Sequence, residues 1–221
     1  MISFVDIKKQ HLAYQAEIDQ AIQAVLQSSQ FFGGSAVALL EQNLSSRSGA
    51  HAITCANGSD ALYIALKAAG VQPGDEVITT PFSFFSTASM ITLAGATPIF
   101  VDIDEQSFTI DPQKVAMAIT QKTKAIIPVS LFGQPADMTP IMALSQQLSI
   151  PVIEDAAQSF GASQHGIAST NLSQFATTSF YPSKPLGCYG NGGAVFCQDL
   201  EKAEYIRLFC NHGQTGPYQH D

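Results

Sequence analysis

The sequence predicts an α/β protein whose mostly parallel sheet is covered by helices on both faces. Short apolar segments alternate with helical segments between residues 51 and 154, which is the pattern of right-handed βαβ units. In addition, 46% of the 221 residues are hydrophobic. This is enough for one sizeable core, and a single domain is the expectation at this length.

Periodicity and capping residues place the individual elements. Residues 1–30 are a predicted N-terminal arm with one amphipathic helix at Leu12–Leu26, and residues 31–221 form the predicted large domain. Asp111 followed by Pro112 marks a helix start, and Gly70 marks a helix end. The predicted strands are 51–55, 76–79, 97–102, 124–129, 151–154, 176–180 and 193–196. The predicted helices are 60–69, 84–94, 111–119, 137–148 and Asp199 to about Asn211.

Charge and hydropathy argue against nucleic-acid binding, a signal peptide and a membrane span. The net charge of −8 at pH 7 argues against nucleic acid, because backbone phosphates demand a basic surface. The N-terminus has no apolar core typical of a signal peptide. The most apolar stretch, Ala88–Val101, is shorter than the roughly 18 residues of a membrane span. We therefore expect a soluble cytoplasmic protein without a membrane segment.

The cysteine and histidine spacings indicate no metal site. Cys55, Cys188, Cys197 and Cys210 show neither a CxxC pair nor a disulfide framework, and the five histidines are scattered. Reduced thiols and structural histidines are the expected interpretation.

One amine and one carboxylate suggest pyridoxal 5'-phosphate (PLP) chemistry. That cofactor needs an amine to hold it as a Schiff base and a carboxylate to keep its ring nitrogen protonated. Asp155 follows the apolar segment 151–154, where ligands gather at the carboxyl end of a strand. Lys184 lies in a Ser-, Pro- and Gly-rich segment without other charges. The alternatives are a helix N-cap for Asp155 and a solvated surface charge for Lys184.

A possible phosphate cradle precedes both residues. Asn57, Gly58 and Ser59 form a predicted turn between a strand and a helix. Free amides at the helix start, the Ser59 hydroxyl and the close approach that Gly58 permits would suit a phosphate. A capped helix without any ligand is the competing interpretation.

Several segments of the sequence together resemble a known family. The segments that carry the resemblance are Cys55–Leu62, Pro73–Ile78, Gly95–Pro98 with Val101–Asp104, Glu154–Gln158 and Ser179–Gly193. Together they closely resemble the DegT family of sugar aminotransferases, over the whole length of the chain. Ala125–Gln134 and Pro182–Gly193 are most similar to members that act on UDP-2-acetamido-2-deoxy-3-oxo-glucuronate in O-antigen biosynthesis.

The resemblance implies a fold-type I PLP-dependent transferase domain and a role for each site residue. Lys184 corresponds to the Schiff-base lysine and Asp155 to the carboxylate at the ring nitrogen. The remaining cofactor-binding positions are Gly58, Ser59 and Ser179 for the phosphate, Gln158 near the ring hydroxyl and Phe84 stacked on the ring. Phe85 takes the stacking role if the register shifts by one, and a core position is the alternative for Phe84.

The resemblance also implies a reaction. Related dehydratases replace the lysine with histidine, so Lys184 indicates transamination. Glutamate would leave its amino group on the cofactor, and a keto UDP-sugar would collect it, in a homodimer. Family members continue beyond residue 221, and we therefore expect an incomplete large domain without the small C-terminal domain. The alternative is a catalytically incompetent paralogue that only binds cofactor or dimerises.

Overall fold

The computed structural model describes residues 5–216 and 219–220. Its helices are α1 (Ile7–Ser28), α2 (Gly34–Ser48), α3 (Gly58–Ala68), α4 (Ser86–Leu93), α5 (Pro112–Ala118), α6 (Met138–Leu148) and α7 (Leu200–Cys210). Its strands are β1 (His51–Cys55), β2 (Glu76–Thr79), β3 (Thr97–Phe100), β4 (Thr123–Ile127), β5 (Ile153–Asp155), β6 (Ser163–Gln164), β7 (Ile167–Ala168), β8 (Phe175–Ser179), β9 (Gly193–Cys197), β10 (Gln214–Gly216) and β11 (Gln219–His220).

The main strands form one continuous sheet. Four of them have the order β1-β9-β8-β5, and three have the order β3-β2-β4. Parallel bridges from Ile126 to Val152 and from Val129 to Asp155 join β4 to β5. The predicted α/β class with a mostly parallel sheet is therefore confirmed. The exception is β9, which is antiparallel to both β1 and β8, because the loop after β8 turns the chain back beside it.

Neighbouring residues within the strands point to opposite faces. Val77 packs in one apolar cluster with α3, whereas Ile78 packs in another with α6. The same alternation separates Ile153 of β5 from Val152, the residue before it. Helices thus cover both faces of the sheet, as the predicted βαβ pattern requires.

The segment between the N-terminal arm and β1 contains a helix that was not predicted. Within α2, only Leu44 and Ser48 are buried, so its sequence shows little apolar periodicity. Its side chains contact the free edge of β1: Glu41 Oε1 accepts hydrogen bonds from the Thr54 backbone N–H at 2.9 Å and from Thr54 Oγ1 at 2.8 Å. Ser45 Oγ accepts a third from the Ala52 N–H at 2.9 Å.

The first helix extends further than predicted. Asp6 caps α1 by accepting a hydrogen bond from the Lys9 N–H at 2.9 Å, so the helix begins before Leu12. None of the residues Ile7–Ser28 is buried. The helix contacts the rest of the chain through His11, whose Nδ1 lies 2.7 Å from the Tyr189 hydroxyl.

In the part of the chain that the structure describes, no helix is long and apolar enough to cross a membrane. The described residues also contain no cluster of three or more His, Cys, Asp or Glu side chains arranged for a metal ion. All four cysteines are free thiols. Burial raises the pKa of Cys55 to about 12 and that of Cys197 to about 11, so both remain protonated at neutral pH.

Candidate active site

A cavity of about 740 Å³ opens where β1, β2, β5 and β8 end. This position is the carboxyl edge of the parallel strands, where α/β proteins bind ligands. The structure brings all seven predicted site residues to the wall of this cavity: Gly58, Ser59, Phe84, Asp155, Gln158, Ser179 and Lys184.

The predicted phosphate turn is packed tightly against two strand ends. A Cβ added at Gly58 would lie 2.6 Å from the Ser179 Cβ, and one added at Gly193 would lie 2.5 Å from the Asn57 carbonyl. Asn57 also caps α3, since its Oδ1 accepts a hydrogen bond from the Asp60 N–H at 2.8 Å. Two glycines and one capping residue therefore present the first amides of α3 to the cavity, as an anion requires.

A second helix start meets the first at the same place. Ser59 Oγ on α3 and Ser86 Oγ on α4 lie 2.6 Å apart, and both residues line the cavity. The convergence of two helix N-termini strengthens the positive potential for an anion. These groups fit the phosphate of PLP.

Asp155 is buried at the cavity wall and held from two sides. Its Oδ2 accepts a hydrogen bond from Thr87 Oγ1 at 2.8 Å, and its Oδ1 accepts one from the Ala157 N–H at 3.2 Å. Burial raises the pKa of this carboxyl, while these two hydrogen bonds and then the charge of Lys184 oppose the rise. A cation placed beside Asp155 would favour the ionised form of its carboxyl. The protonated ring nitrogen of PLP is such a cation.

Glu154 points to the opposite face of the sheet. Its Oε1 accepts hydrogen bonds from Ser130 Oγ at 2.6 Å and from Ser169 Oγ at 2.7 Å. Its Oε2 accepts one from the Thr170 N–H at 2.8 Å. Burial raises the pKa of Glu154 against these bonds. It does not line the cavity, so Asp155 is the member of this pair that can contact a ligand there.

Lys184 lies in a loop that leaves β8 and returns as β9. The loop is closed by hydrogen bonds from the Phe180 N–H to the Gly192 carbonyl at 2.8 Å and from the Cys188 N–H to the Phe180 carbonyl at 2.7 Å. A tight turn positions the lysine, whose own N–H donates to the Tyr181 carbonyl at 2.8 Å. The half-buried Lys184 thus faces the same cavity as Asp155.

Of the two candidate stacking residues, Phe84 lines the cavity. Its side chain is 70% exposed, and that of Phe85 is 76% exposed. Phe84 is thus not a core residue, and the alternative of a core position is wrong for it. The stacking role itself stays a prediction.

Several polar residues of the cavity wall were not predicted from the sequence: Ser83, Ser86, Thr87, Ser183 and Asn191. Ser86 and Thr87 could have been found by the argument that located Asn57–Ser59. They begin the helix that follows β2, after a connection of residues 80–85 at the carboxyl edge of the parallel sheet.

Comparison with known proteins identifies relatives over the whole chain. The model of the DegT/DnrJ/EryC1/StrS aminotransferase family matches residues 13–221. UDP-2-acetamido-2-deoxy-3-oxo-D-glucuronate aminotransferase of Pseudomonas aeruginosa is 53% identical over 221 residues, which are 100% of this chain and 62% of the relative.

Solved structures with the same fold include DesV of S. venezuelae in complex with a ketimine intermediate. It has a TM-score of 0.97 and 38% identity, over 100% of this chain and 60% of that one. NtdA of Bacillus subtilis with bound cofactor PMP has a TM-score of 0.92 and 33% identity, over 100% of this chain and 51% of that one. The chain thus spans about 60% of the length of the curated relatives it matches.

Proposed function

This chain belongs to the DegT/DnrJ/EryC1/StrS aminotransferase family, and on that premise we propose that it binds PLP and transfers an amino group to a keto nucleotide sugar. The observation that carries this proposal is the convergence of Asp155, Lys184 and the Gly58–Ser59 turn on one cavity. An acid, an amine and an anion cradle are the three groups that PLP requires of a protein.

Each residue has a distinct proposed role towards the cofactor. When bound, PLP supplies an electron sink that stabilises negative charge at the Cα of an amino acid. Asp155 would keep the ring nitrogen protonated by its opposite charge. Gly58, Ser59 and Ser179 would bind the phosphate, Gln158 the ring hydroxyl, and Phe84 one face of the ring.

Lys184 would hold the cofactor covalently and move protons. Once released by the amino donor, its Nζ would be a free amine within the cavity, where it would take the proton from the donor Cα as a general base and give it to the cofactor's C4′ as a general acid. We propose glutamate as the donor.

For the acceptor we propose UDP-2-acetamido-2-deoxy-3-oxo-glucuronate, with a place in bacterial surface polysaccharide synthesis. The support is the relative that is 53% identical and bears the name of that activity. We also propose a homodimer, because large apolar side chains are exposed on the N-terminal side of the chain. Phe31 is 70% and Phe32 is 87% exposed, and apolar patches of this kind mark association surfaces.

Covalent capture tests the cofactor assignment directly. The 221-residue chain is incubated with PLP, reduced with borohydride and digested, and the pyridoxyl group is mapped by mass spectrometry. We expect the group on Lys184 and its loss in Lys184→Ala. Labelling of Lys67, Lys114 or Lys202 instead would contradict the proposal.

Single-turnover assays test the substrates. The PLP-loaded chain is treated with glutamate, and 2-oxoglutarate is measured. A 3-oxo UDP-sugar acid is then compared with a dTDP-linked keto sugar as the acceptor. We expect the UDP-linked acid to react faster, and the reverse order would contradict the substrate assignment while leaving the cofactor assignment intact.

A further inference from the structure

Thr87 is a buried polar residue at the start of α4. It lies in the first turn of α4, is 1% exposed, and its hydroxyl reaches across to β5. A buried hydroxyl needs a partner, and Thr87 Oγ1 uses its one proton for Asp155 Oδ2 at 2.8 Å. A residue of one element thus holds the buried carboxylate of another.

A second hydrogen bond links Thr87 to Ser83, a residue of the cavity wall. Ser83 Oγ lies 3.3 Å from Thr87 Oγ1. Because the Thr87 proton is given to Asp155, Ser83 must be the donor in this pair. The half-exposed Ser83 also lines the cavity. A chain of two hydroxyls therefore leads from the cavity wall to the buried carboxylate.

The two hydrogen bonds that Asp155 accepts fix its orientation but do not use all of its lone pairs. Thr87 takes one lone pair of Oδ2, and the Ala157 N–H takes one of Oδ1. Each oxygen retains one further lone pair, so the carboxylate can still accept a hydrogen bond from a donor in the cavity. The charged groups near it are Lys184 across the cavity and Glu154 on the preceding position.

We propose that Thr87 is a positioning residue, whose hydroxyl fixes the Asp155 carboxylate towards the cavity in its ionised form, with Ser83 fixing the Thr87 hydroxyl in turn. This inference rests on the proposed PLP-binding function for its consequence, since the fixed carboxylate would keep the ring nitrogen protonated. Its geometry exists in the cofactor-free chain and can be tested there.

The first experiment needs no cofactor. The chain is labelled with 13C at the aspartate carboxyl carbon, and the signal missing in Asp155→Asn is followed against pH by NMR. Thr87→Val keeps the shape and removes the donor, so we expect the Asp155 midpoint to move to higher pH. Thr87→Ser should restore the parental midpoint. Should Thr87→Val not fold, Thr87→Cys, with its weak donor, should give an upward shift of its own. An unchanged midpoint in a folded Thr87→Val or Thr87→Cys protein would overturn the proposal.

The second experiment uses the PLP-loaded chain. PLP labelled with 15N in the ring reports the protonation of the ring nitrogen. In Thr87→Val the Asp155 carboxylate would no longer be fixed towards the ring, so the ring nitrogen should lose its proton at a lower pH than in the parent, and Thr87→Ser should behave as the parent. Equal titrations of Thr87→Val and parent overturn the role of Thr87, whereas a parent that binds no PLP at all overturns the proposed function.

Discussion

Glu154 and Asp155 are adjacent carboxylates on one strand, yet they face opposite sides of the sheet. Glu154 is 0% exposed and accepts three short hydrogen bonds from Ser130, Ser169 and Thr170. Asp155 is 6% exposed, lines the cavity and accepts two bonds. The burial of an acid therefore does not distinguish a structural role from a functional one. The difference lies in whether its lone pairs are used within the fold or left towards a cavity.

Removal of the Glu154 carboxylate should have the largest effect on stability. Glu154→Ala leaves three buried donors without an acceptor, and each such group costs about 1–3 kcal/mol. We expect the free energy of unfolding to fall by about 3 kcal/mol or more in urea denaturation. Glu154→Gln, which keeps the volume and one carbonyl oxygen, should lose less. A stability equal to that of the parent would mean that the Glu154 network adds nothing to the fold.

The corresponding change on the cavity side should affect chemistry rather than folding. Asp155→Asn is nearly isosteric but cannot keep a ring nitrogen protonated. We expect PLP capture at Lys184 to persist while the half-reaction with glutamate slows by about a hundredfold or more, the size of a lost electrostatic contact in an active site. An undiminished rate would show that another group holds the ring.

The cavity side also depends on close backbone contact. Gly193→Ala would place a Cβ 2.5 Å from the Asn57 carbonyl and so displace the phosphate turn. We expect a loss of about 1–3 kcal/mol in stability, as for other overpacked sites, together with weaker PLP binding in absorbance titrations. Gly216→Ala is the control, because the atom nearest to its Cβ is the Gln219 side-chain oxygen at 3.2 Å. Equal PLP affinities in the two variants would refute the tight turn.

The smallest expected effect is a difference in pH dependence. Burial raises the folded-state pKa of Asp155 and Glu154, so the folded chain binds these protons more tightly than the unfolded chain. Their contribution to stability is therefore complete below the unfolded pKa and is lost as pH rises through the folded pKa. Without cofactor, Asp155→Asn should lose less stability than the parent as pH rises above about 4. Urea midpoints measured across this range test it, and parallel curves for the two proteins would contradict the direction of the Asp155 shift.

Much of the fold could be predicted because it depends on local patterns. The apolar alternation placed β1 to β5, β8 and β9 within two residues of their positions, and Asp111 predicted the start of α5 correctly. The helix α2 could not be found this way, since it buries only Leu44 and Ser48. The antiparallel direction of β9 depends on how the loop after β8 turns, which strand periodicity does not encode.

In the candidate site too, the residues with local sequence signals could be predicted, and those that depend on tertiary contacts could not. A carboxylate after a strand, a lysine in an uncharged turn and a capped helix start are local signals, and all of them lead to one cavity. Thr87 gave no such signal, because its role depends on a contact 68 positions along the chain. Residue type alone does not separate Glu154 from Asp155, because the two sheet faces are not visible in a strand of three residues; the family resemblance assigned the role to Asp155, which does line the cavity.

The contact between α2 and β1 has a consequence for the behaviour of the protein in concentrated solution. The outer edge of a sheet exposes N–H groups that can recruit a strand from another molecule and begin aggregation. Here Glu41 and Ser45 occupy the N–H groups of Thr54 and Ala52. Arg207 further anchors Glu41 through an ion pair of 2.9 Å. The helix α2 thus blocks the addition of a strand from another molecule at this edge.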